Sequence, residues 1–380
     1  MDILKLTDHH QDFKKRLKAF LEKEIAPHAD QWEKDRMAPR DAWRKMGENG
    51  FLCPCVSKEY GGLGGDFIYS VIVADEMAKT RQSGLAATLH SDVVVPYIEL
   101  FGSEDIKKKY LPGCVSGEVL TAVAMTEPGS GSDLASISTT AVEDGGEVIL
   151  NGSKTFISNG IQSDLVIVAA RNPEIADPYH GISLYLVEDG TPGFKRGRKL
   201  DKMGFHSQDT AELFFSGCRI PKENILGEKN QGFLMLMNNL QQERLATSMW
   251  AVPIAEEVIA LTVDFCKKTL DSGRPLIKRQ AVQFALVEME TEVRLGRVFV
   301  DKLIADHIEG RQIVAETSMA KYWTTDMAKR VAGRCLELWG PEGTLESRPI
   351  ERAWRDVRVM SIFAGTNEIM KSIAAKFMGW

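Results

Sequence analysis

The chain has 380 residues, with 47 lysines and arginines against 53 aspartates and glutamates, a formal net charge of −6, and 44% hydrophobic residues. This is the composition of ordinary globular domains, two or three at roughly 100–200 residues each, able to bury a core without disulfides or a structural metal. A mixed-sign, net negative chain lacks the clustered cations that a nucleic-acid backbone demands, so nucleic acid is not an expected partner.

Charges at Asp2, Lys5, Asp8, Lys14, Lys15, Arg16 and Lys18 interrupt the stretch where a secretory signal needs an unbroken apolar segment. Nowhere do about 18 apolar residues run without a charge, so no membrane span is expected and the localisation reads as cytoplasmic. The cysteines, Cys53, Cys55, Cys114, Cys218, Cys266 and Cys335, show no zinc-site spacing and read as reduced, mostly buried thiols. His9-His10 reads as an exposed helix start rather than a ligand pair, and no metal is expected.

From Thr7 to about Lys109 apolar residues recur at threes and fours, as in Phe13, Leu17, Phe20, Leu21 and Ile25, then Ile68, Ile72, Val73 and Met77. This predicts helices, the first capped at Thr7-Asp8, with Gly61 to Gly65 as a plain loop and Lys107-Lys108-Lys109 as a solvated helix face. Near Val119 the texture becomes β-rich: Val119 to Met125, Glu147 to Ile157, Asp164 to Ala170, Gly181 to Val187 and Ala211 to Phe215. Turn signals fall at Pro128-Gly129, Asp144-Gly145-Gly146, Asn151-Gly152 and Pro192-Gly193, and Pro221 to Asn224 reads as the exit turn. Short strands so spaced predict a small β-sandwich or barrel. From about Gln231 helical stripes return, Val258, Leu261, Thr262 and Phe265, then Val293, Leu295, Val298 and Phe299, broken at Asp271-Ser272-Gly273 and Gly340 to Gly343. Four or five long helices in an antiparallel bundle are expected. Trp250, Trp339, Met235, Met237 and Met249 read as core. The resulting class is α+β and multidomain: a helical domain over 1–118, a β domain over 119–227 and a four-helix-bundle domain over 228–380. No G-x-G-x-x-G follows a strand, so the order is not that of a Rossmann fold.

The most informative segment is Met125-Thr126-Glu127-Pro128-Gly129-Ser130-Gly131-Ser132-Asp133, a glycine-shaped loop after a strand. Its backbone can approach an electron-rich group closely, with hydroxyls at Thr126 and Ser132. Alone it is a turn as readily as a clamp. Alongside stand Phe156-Ile157-Ser158-Asn159-Gly160, Arg198 to Gly204, Gln208-Asp209-Thr210, Pro221 to Gly227, Gln242-Glu243-Arg244-Leu245 and Gly365-Thr366-Asn367-Glu368-Ile369. In these segments, over nearly its whole length, the sequence resembles the acyl-CoA dehydrogenase family, flavoenzymes that introduce an α,β double bond into acyl thioesters. Glu243-Arg244-Leu245 and Phe156 make it most similar to the long-chain branch.

The resemblance implies FAD wedged between the middle domain, the helix bundle and a neighbouring subunit. By matched position Thr126 and Ser158 would hydrogen-bond the flavin ring, Phe156 would pack on it, and Met125, Gly131, Ser132 and Ile157 would line it. Thr366, Asn367 and Glu368 would meet the pyrophosphate region, with Gln280, Glu337 and Gly340 as further FAD positions. Ser132, His180, Gly181, Arg244, Ala364 and Gly365 would contact the acyl-CoA, and the helix containing Ser91, Val94 and Pro96 would set pocket depth. The reaction takes a proton from Cα and a hydride from Cβ, so it needs one base. Family members carry it either in the loop before Gly-Thr, here Ala364, or on the bundle helix, here Glu243. Ala364 cannot accept a proton, which leaves Glu243.

Two segments depart from the family. Its R-x-x-F-G reads Thr269-Leu270-Asp271-Ser272-Gly273, and its Q-x-x-G-G-x-G reads Glu337-Leu338-Trp339-Gly340-Pro341-Glu342-Gly343. Lys267, Lys268 and Arg274 stand near enough in sequence to replace the lost cation. The reading is an FAD-dependent acyl-CoA dehydrogenase for medium to long or branched chains, passing electrons to an electron-transferring flavoprotein and forming a homodimer or homotetramer. Alternatives are a carrier-protein thioester as substrate, a flavin oxidase, or a flavin-poor subunit or scaffold of a hetero-oligomer.

Overall fold

The helical periodicity of the first third folds into α1 (Asp8–Phe20), α2 (Ala29–Asp35), α3 (Arg40–Glu48), α4 (Ile68–Ala78), α5 (Val95–Phe101) and α6 (Glu104–Ser116), in a computed structural model that describes residues 3–177 and 179–380. Thr7 caps α1 as expected. Its Oγ1 accepts from His10 N at 3.4 Å while His10 Nδ1 accepts from Thr7 N at 3.1 Å, a reciprocal capping box. His10 is therefore not on the surface as the sequence reading had it. It is buried, with Nε2 3.1 Å from Asp66 Oδ1.

The middle segment contains β1 (Thr121–Ala124), β2 (Thr140–Asp144), β3 (Glu147–Ser158), β4 (Leu165–Arg171), β5 (Ile182–Glu188), β6 (Phe194–Lys199), β7 (Thr210–Pro221) and β8 (Ile225–Leu226). They run in the order β6-β7-β3-β2-β4-β5-β8, with β1 parallel to β4. A single bridge, Thr140 to Arg171, joins the two halves. Between them lies a core of Val148, Leu150, Leu213 and Phe215 from one half and Val166, Val168, Tyr185 and Val187 from the other. That is the expected sandwich. The alternate residues of β4 and β5, Leu165, Ile167, Leu184 and Leu186, enter the core of the N-terminal helices. Both faces of these strands are covered, which is why they read as continuous apolar runs.

The sequence reading missed β2, β6 and β8. β6 is Phe-Lys-Arg-Gly-Arg-Lys, with no apolar alternation, and β8 is two residues long. Asn151-Gly152 is not a turn. It lies inside β3, where the register against β7 slips after Leu150, and Asn151 Oδ1 accepts from Gly217 N at 2.7 Å.

After the exit turn the chain makes α7 (Gly232–Lys268), α8 (Gln280–Ile308), α9 (Val314–Trp339), α10 (Pro349–Asp356) and α11 (Asn367–Phe377). Among the described residues the long bundle helices are α7, α8 and α9, with α10 and α11 short, fewer than the four or five expected. The second stripe is also split. Val293 is buried, but Leu295 and Val298 are exposed on the outer face of α8. The Asp271-Ser272-Gly273 break is a hairpin, β9 (Leu270–Asp271) with β10 (Arg274–Pro275), whose turn residues Ser272 and Gly273 both have positive φ, 50° and 78°.

A side chain at Gly152 would place Cβ 2.5 Å from Thr139 Oγ1 and 2.7 Å from Thr139 Cα. Gly152→Ala is therefore expected to destabilise the fold by about 1–3 kcal/mol, as overpacking does, read as a lowered Tm in thermal unfolding.

Candidate active site

Glu243 lies on α7, buried at 5% exposure. Tyr97 of α5 donates its hydroxyl to Glu243 Oε1 at 2.7 Å, and Asn239, one turn earlier on α7, donates Nδ2 to the same oxygen at 3.3 Å. Asn239 Nδ2 also reaches Val93 O at 3.1 Å, and Gln242 Nε2 reaches Asp92 O at 2.8 Å. These bonds lace α7 to the wide π-helical turn Leu89–Val94 that leads into α5. Burial pushes the Glu243 carboxyl up to about 7, with Tyr97, Arg244 and Asn239 opposing. A carboxylate so placed is poised to exchange a proton near neutral pH. Arg244 is buried beside it, with Nη1 3.4 Å from Ser318 Oγ of α9.

The loop before α11 meets the same face of the bundle. Trp250, two turns after Glu243, lies parallel to Phe363 at 6.4 Å between centroids, and Phe205 of the middle segment packs 5.1 Å from Trp250. Ala364 and Gly365 take positive φ, 52° and 88°. Lys321 of α9 holds them there: its fully buried Nζ donates to Gly365 O at 2.5 Å and to Asn367 Oδ1 at 3.2 Å. Burial pulls the Lys321 ammonium down to about 7. Thr366 caps α11 by accepting from Ile369 N at 3.3 Å, so the positive end of that helix is presented at the loop.

On the sheet side Lys154, wholly buried, donates to Met125 O at 2.9 Å and to Glu127 Oε1 at 2.8 Å. Glu127 also accepts from Ser138 N at 2.6 Å and Thr139 N at 2.9 Å, and Thr155 N bonds Thr126 O at 3.0 Å. Burial would raise the Glu127 carboxyl, but Lys154 and these donors hold it down at about 2. The inner end of the 125–133 loop is thus pinned while Gly131 and Ser132 face outward, with open space where a Gly131 Cβ would stand. Phe156 lies in a β3 bulge between Lys154 and Ile157, at φ 58°, and is turned outward to 67% exposure. Ser158 is half-buried, while the Ile157 side chain points into the sandwich core, which leaves only its backbone for a ligand. His180 is exposed, with Nδ1 2.8 Å from Asp177 Oδ2, and Gly181 is buried at the start of β5.

These residues fit FAD in two separate parts. An outward aromatic, an open glycine loop and hydroxyls suit a flavin ring, and the capped N-terminus of α11 suits phosphate oxygens. Glu368, exposed in the first turn of α11, adds an acid at that edge. Gln280, Glu337 and Gly340 are exposed elsewhere. They cluster toward the C-terminal end of α7, where Trp339 Nε1 donates to Thr262 Oγ1 at 3.1 Å, about 28 Å along the helix from Glu243 at 1.5 Å per residue. Beside them is a cleft of about 490 Å³ walled by Phe265, Trp339, Lys268 and Arg348. Lys268 lines this cleft, whereas Lys267 lies 3.9 Å from Asp264 on the surface.

Sequence reasoning missed Tyr97, Asn239, Lys321 and Lys154. Asn239 carried a usable signal, being four residues before Glu243 and so on its face. Tyr97 sits in an apolar helical pattern, whereas Lys154 and Lys321 stand among polar residues that read as solvated.

Helical, β and helical segments in this order, with a buried glutamate on the bundle, are the architecture of the flavin-dependent acyl-thioester oxidoreductases. The chain belongs to the acyl-CoA dehydrogenase family and is an enzyme with FAD as its cofactor: the family's N-terminal, middle and C-terminal domain profiles match residues 7–118, 122–218 and 230–379. It is 43% identical over 371 residues to the mitochondrial long-chain specific acyl-CoA dehydrogenase of Sus scrofa, covering 97% of this chain and 86% of that protein. An acyl-CoA dehydrogenase of Bacillus subtilis (strain 168) is 36% identical, with 98% of each chain covered. The crystal structure of an acyl-CoA dehydrogenase from Geobacillus kaustophilus superposes with a TM-score of 0.97 at 52% identity, covering 99% of both chains. No helix among the described residues is long and apolar enough to cross a membrane.

Removing one member of a buried ion pair strands the other, so Lys154→Met is expected to cost about 3–5 kcal/mol, seen as a fall in Tm. Adding Glu127→Gln should recover part of that loss, since no stranded charge then remains.

Proposed function

We propose that this enzyme dehydrogenates acyl-CoA thioesters of medium to long or branched chain between Cα and Cβ, with Glu243 as the base. The observation that carries the reading is one buried carboxylate, poised near neutrality, at a bundle-helix position, where the alternative loop position is Ala364. Glu243 Oε2 takes the Cα proton, while Oε1 stays engaged with Tyr97 and Asn239. FAD, when bound, supplies the acceptor for the Cβ hydride. Ser132, His180, Gly181, Arg244 and Gly365 orient the thioester, and the Leu89–Val94 turn limits the acyl chain. The relatives named as long-chain specific support the chain-length reading. Electrons pass on to an electron-transferring flavoprotein.

A second copy of the chain completes the cofactor site. Two observations support this: the loop before α11 lies by Trp250 in the middle of α7 while Trp339, beside Glu337 and Gly340, lies further along at Thr262, and α8 shows an outward apolar stripe of Phe284, Val287 and Leu295, each 59–64% exposed. Residues spaced by three and eight share one helix face.

Anaerobic titration of the holoenzyme with acyl-CoA and acyl-carrier-protein thioesters, read as flavin bleaching, ranks the substrates, and CoA esters of long or branched chains should bleach it fastest. Glu243→Gln should keep the flavin spectrum but lower turnover by about 10²–10⁴-fold, the usual contribution of a general base. Leu295→Glu should reduce the mass found by light scattering and, with it, the FAD retained per chain.

A further inference from the structure

We infer that Tyr97 is a positioning residue for the base: its hydroxyl clamps Glu243 Oε1, with Asn239 as a weaker second donor, so that Oε2 is the oxygen presented for proton transfer. This rests on the reading of Glu243 as the base.

Tyr97 is fully buried on α5, among Val94, Val95 and Ile98, all likewise buried. A phenylalanine would fill that wall equally well. A hydroxyl buried there costs free energy unless it is bonded, and its bond is the 2.7 Å contact to Glu243 Oε1. Among the described residues none donates to Oε2 within hydrogen-bond distance. The carboxylate is therefore held by one oxygen with the other left free. Burial and the neighbouring carboxylate push the Tyr97 phenol far above its usual range, which keeps it a donor.

The other titratable groups around this stretch act on different partners. On α7 itself Arg244 adds a favourable charge. From α8, His307 Nε2 lies 3.2 Å from Gln242 Oε1. From α9, Lys321 is committed to Gly365 and Asn367, and in the Leu89–Val94 turn the Asp92 carboxyl takes its hydrogen bond from Ser70 at 2.5 Å. Tyr97 is thus the neutral group that most directly favours the ionised form of the base, because a donor bonded to a carboxylate stabilises its charge.

The test is the pH profile of kcat/KM for the Tyr97→Phe holoenzyme. Loss of a donor to a charged group should move the acid limb upward by roughly one pH unit. Activity should then fall about tenfold at pH 6 and stay within about twofold of wild type at pH 9, where the base is ionised in both. An acid limb that stays in place overturns the inference, whether or not the plateau falls, because a merely structural loss lowers all pH values alike. If Tyr97→Phe fails to retain flavin, Asn239→Leu carries the same test through the weaker donor, with a smaller upward shift in support and an unmoved limb against. Glu243→Gln run in parallel separates the two readings. If it stays active the base assignment fails, whereas an inactive Glu243→Gln with an unmoved Tyr97→Phe limb sinks only the role of Tyr97.

Discussion

Strands β4 and β5 have no solvent face, and that double burial sets the geometry of everything around them. One face closes the sandwich, and the other forms a single core with the N-terminal helices. The helical and β segments therefore cannot slide past one another without opening a close-packed interface. The loops at the strand ends and the Leu89–Val94 turn are held in one frame, and α7 packs into that frame from the other side. Phe67, just before α4, and Val71 and Ala74 of α4 enter the core of the bundle, so the N-terminal helices touch both other segments. A tyrosine on α5 can face a glutamate on α7 at hydrogen-bond distance because α5 and α7 are fixed to the same body.

Around the site the charges follow one rule. Glu243, Lys321, Lys154 and Glu127 are all buried, and each has neutral donors or carbonyls, or an opposite charge, placed against it. A buried charge without partners costs several kcal/mol, so these arrangements are constraints on the loops they touch. Lys321 and Lys154 each commit an ammonium to a main-chain carbonyl, at Gly365 and Met125, and so each holds one of the two loops. The loops that face solvent are thereby ordered from beneath, by side chains a ligand would not meet.

Much of this was legible in the sequence, and the failures have physical causes. The helix periods, the apolar strands and the place of Glu243 on a bundle helix could be read because each leaves a pattern: a period, a run, or a motif with one carboxylate in one of two places. β6 could not be read because its strand character comes from pairing with β7 and not from its own residues. Asn151-Gly152 carries turn chemistry, but here the strand runs straight through it, and the extra residue lies opposite on β7, where Gly217 takes φ 57°. His10 was misplaced because a histidine at a cap position is ordinarily solvated, while here Asp66, 56 residues away, draws it inward. Tyr97 left no trace, since a phenol in an apolar helix differs from core only by what its oxygen meets.

The unreadable strand has a consequence of its own. A sheet path that ends in β6 offers an unpaired row of amides and carbonyls, the template on which foreign strands assemble, but that edge is Lys195, Arg196, Arg198 and Lys199 in a run of six. Like charges meeting across such a seam repel, and the opposite end, β8, is too short to template anything. Growth by strand addition is closed at both ends of the path. The outward apolar residues of α8, Phe284, Val287 and Leu295, are a surface of another kind, one that offers side chains and no free backbone row.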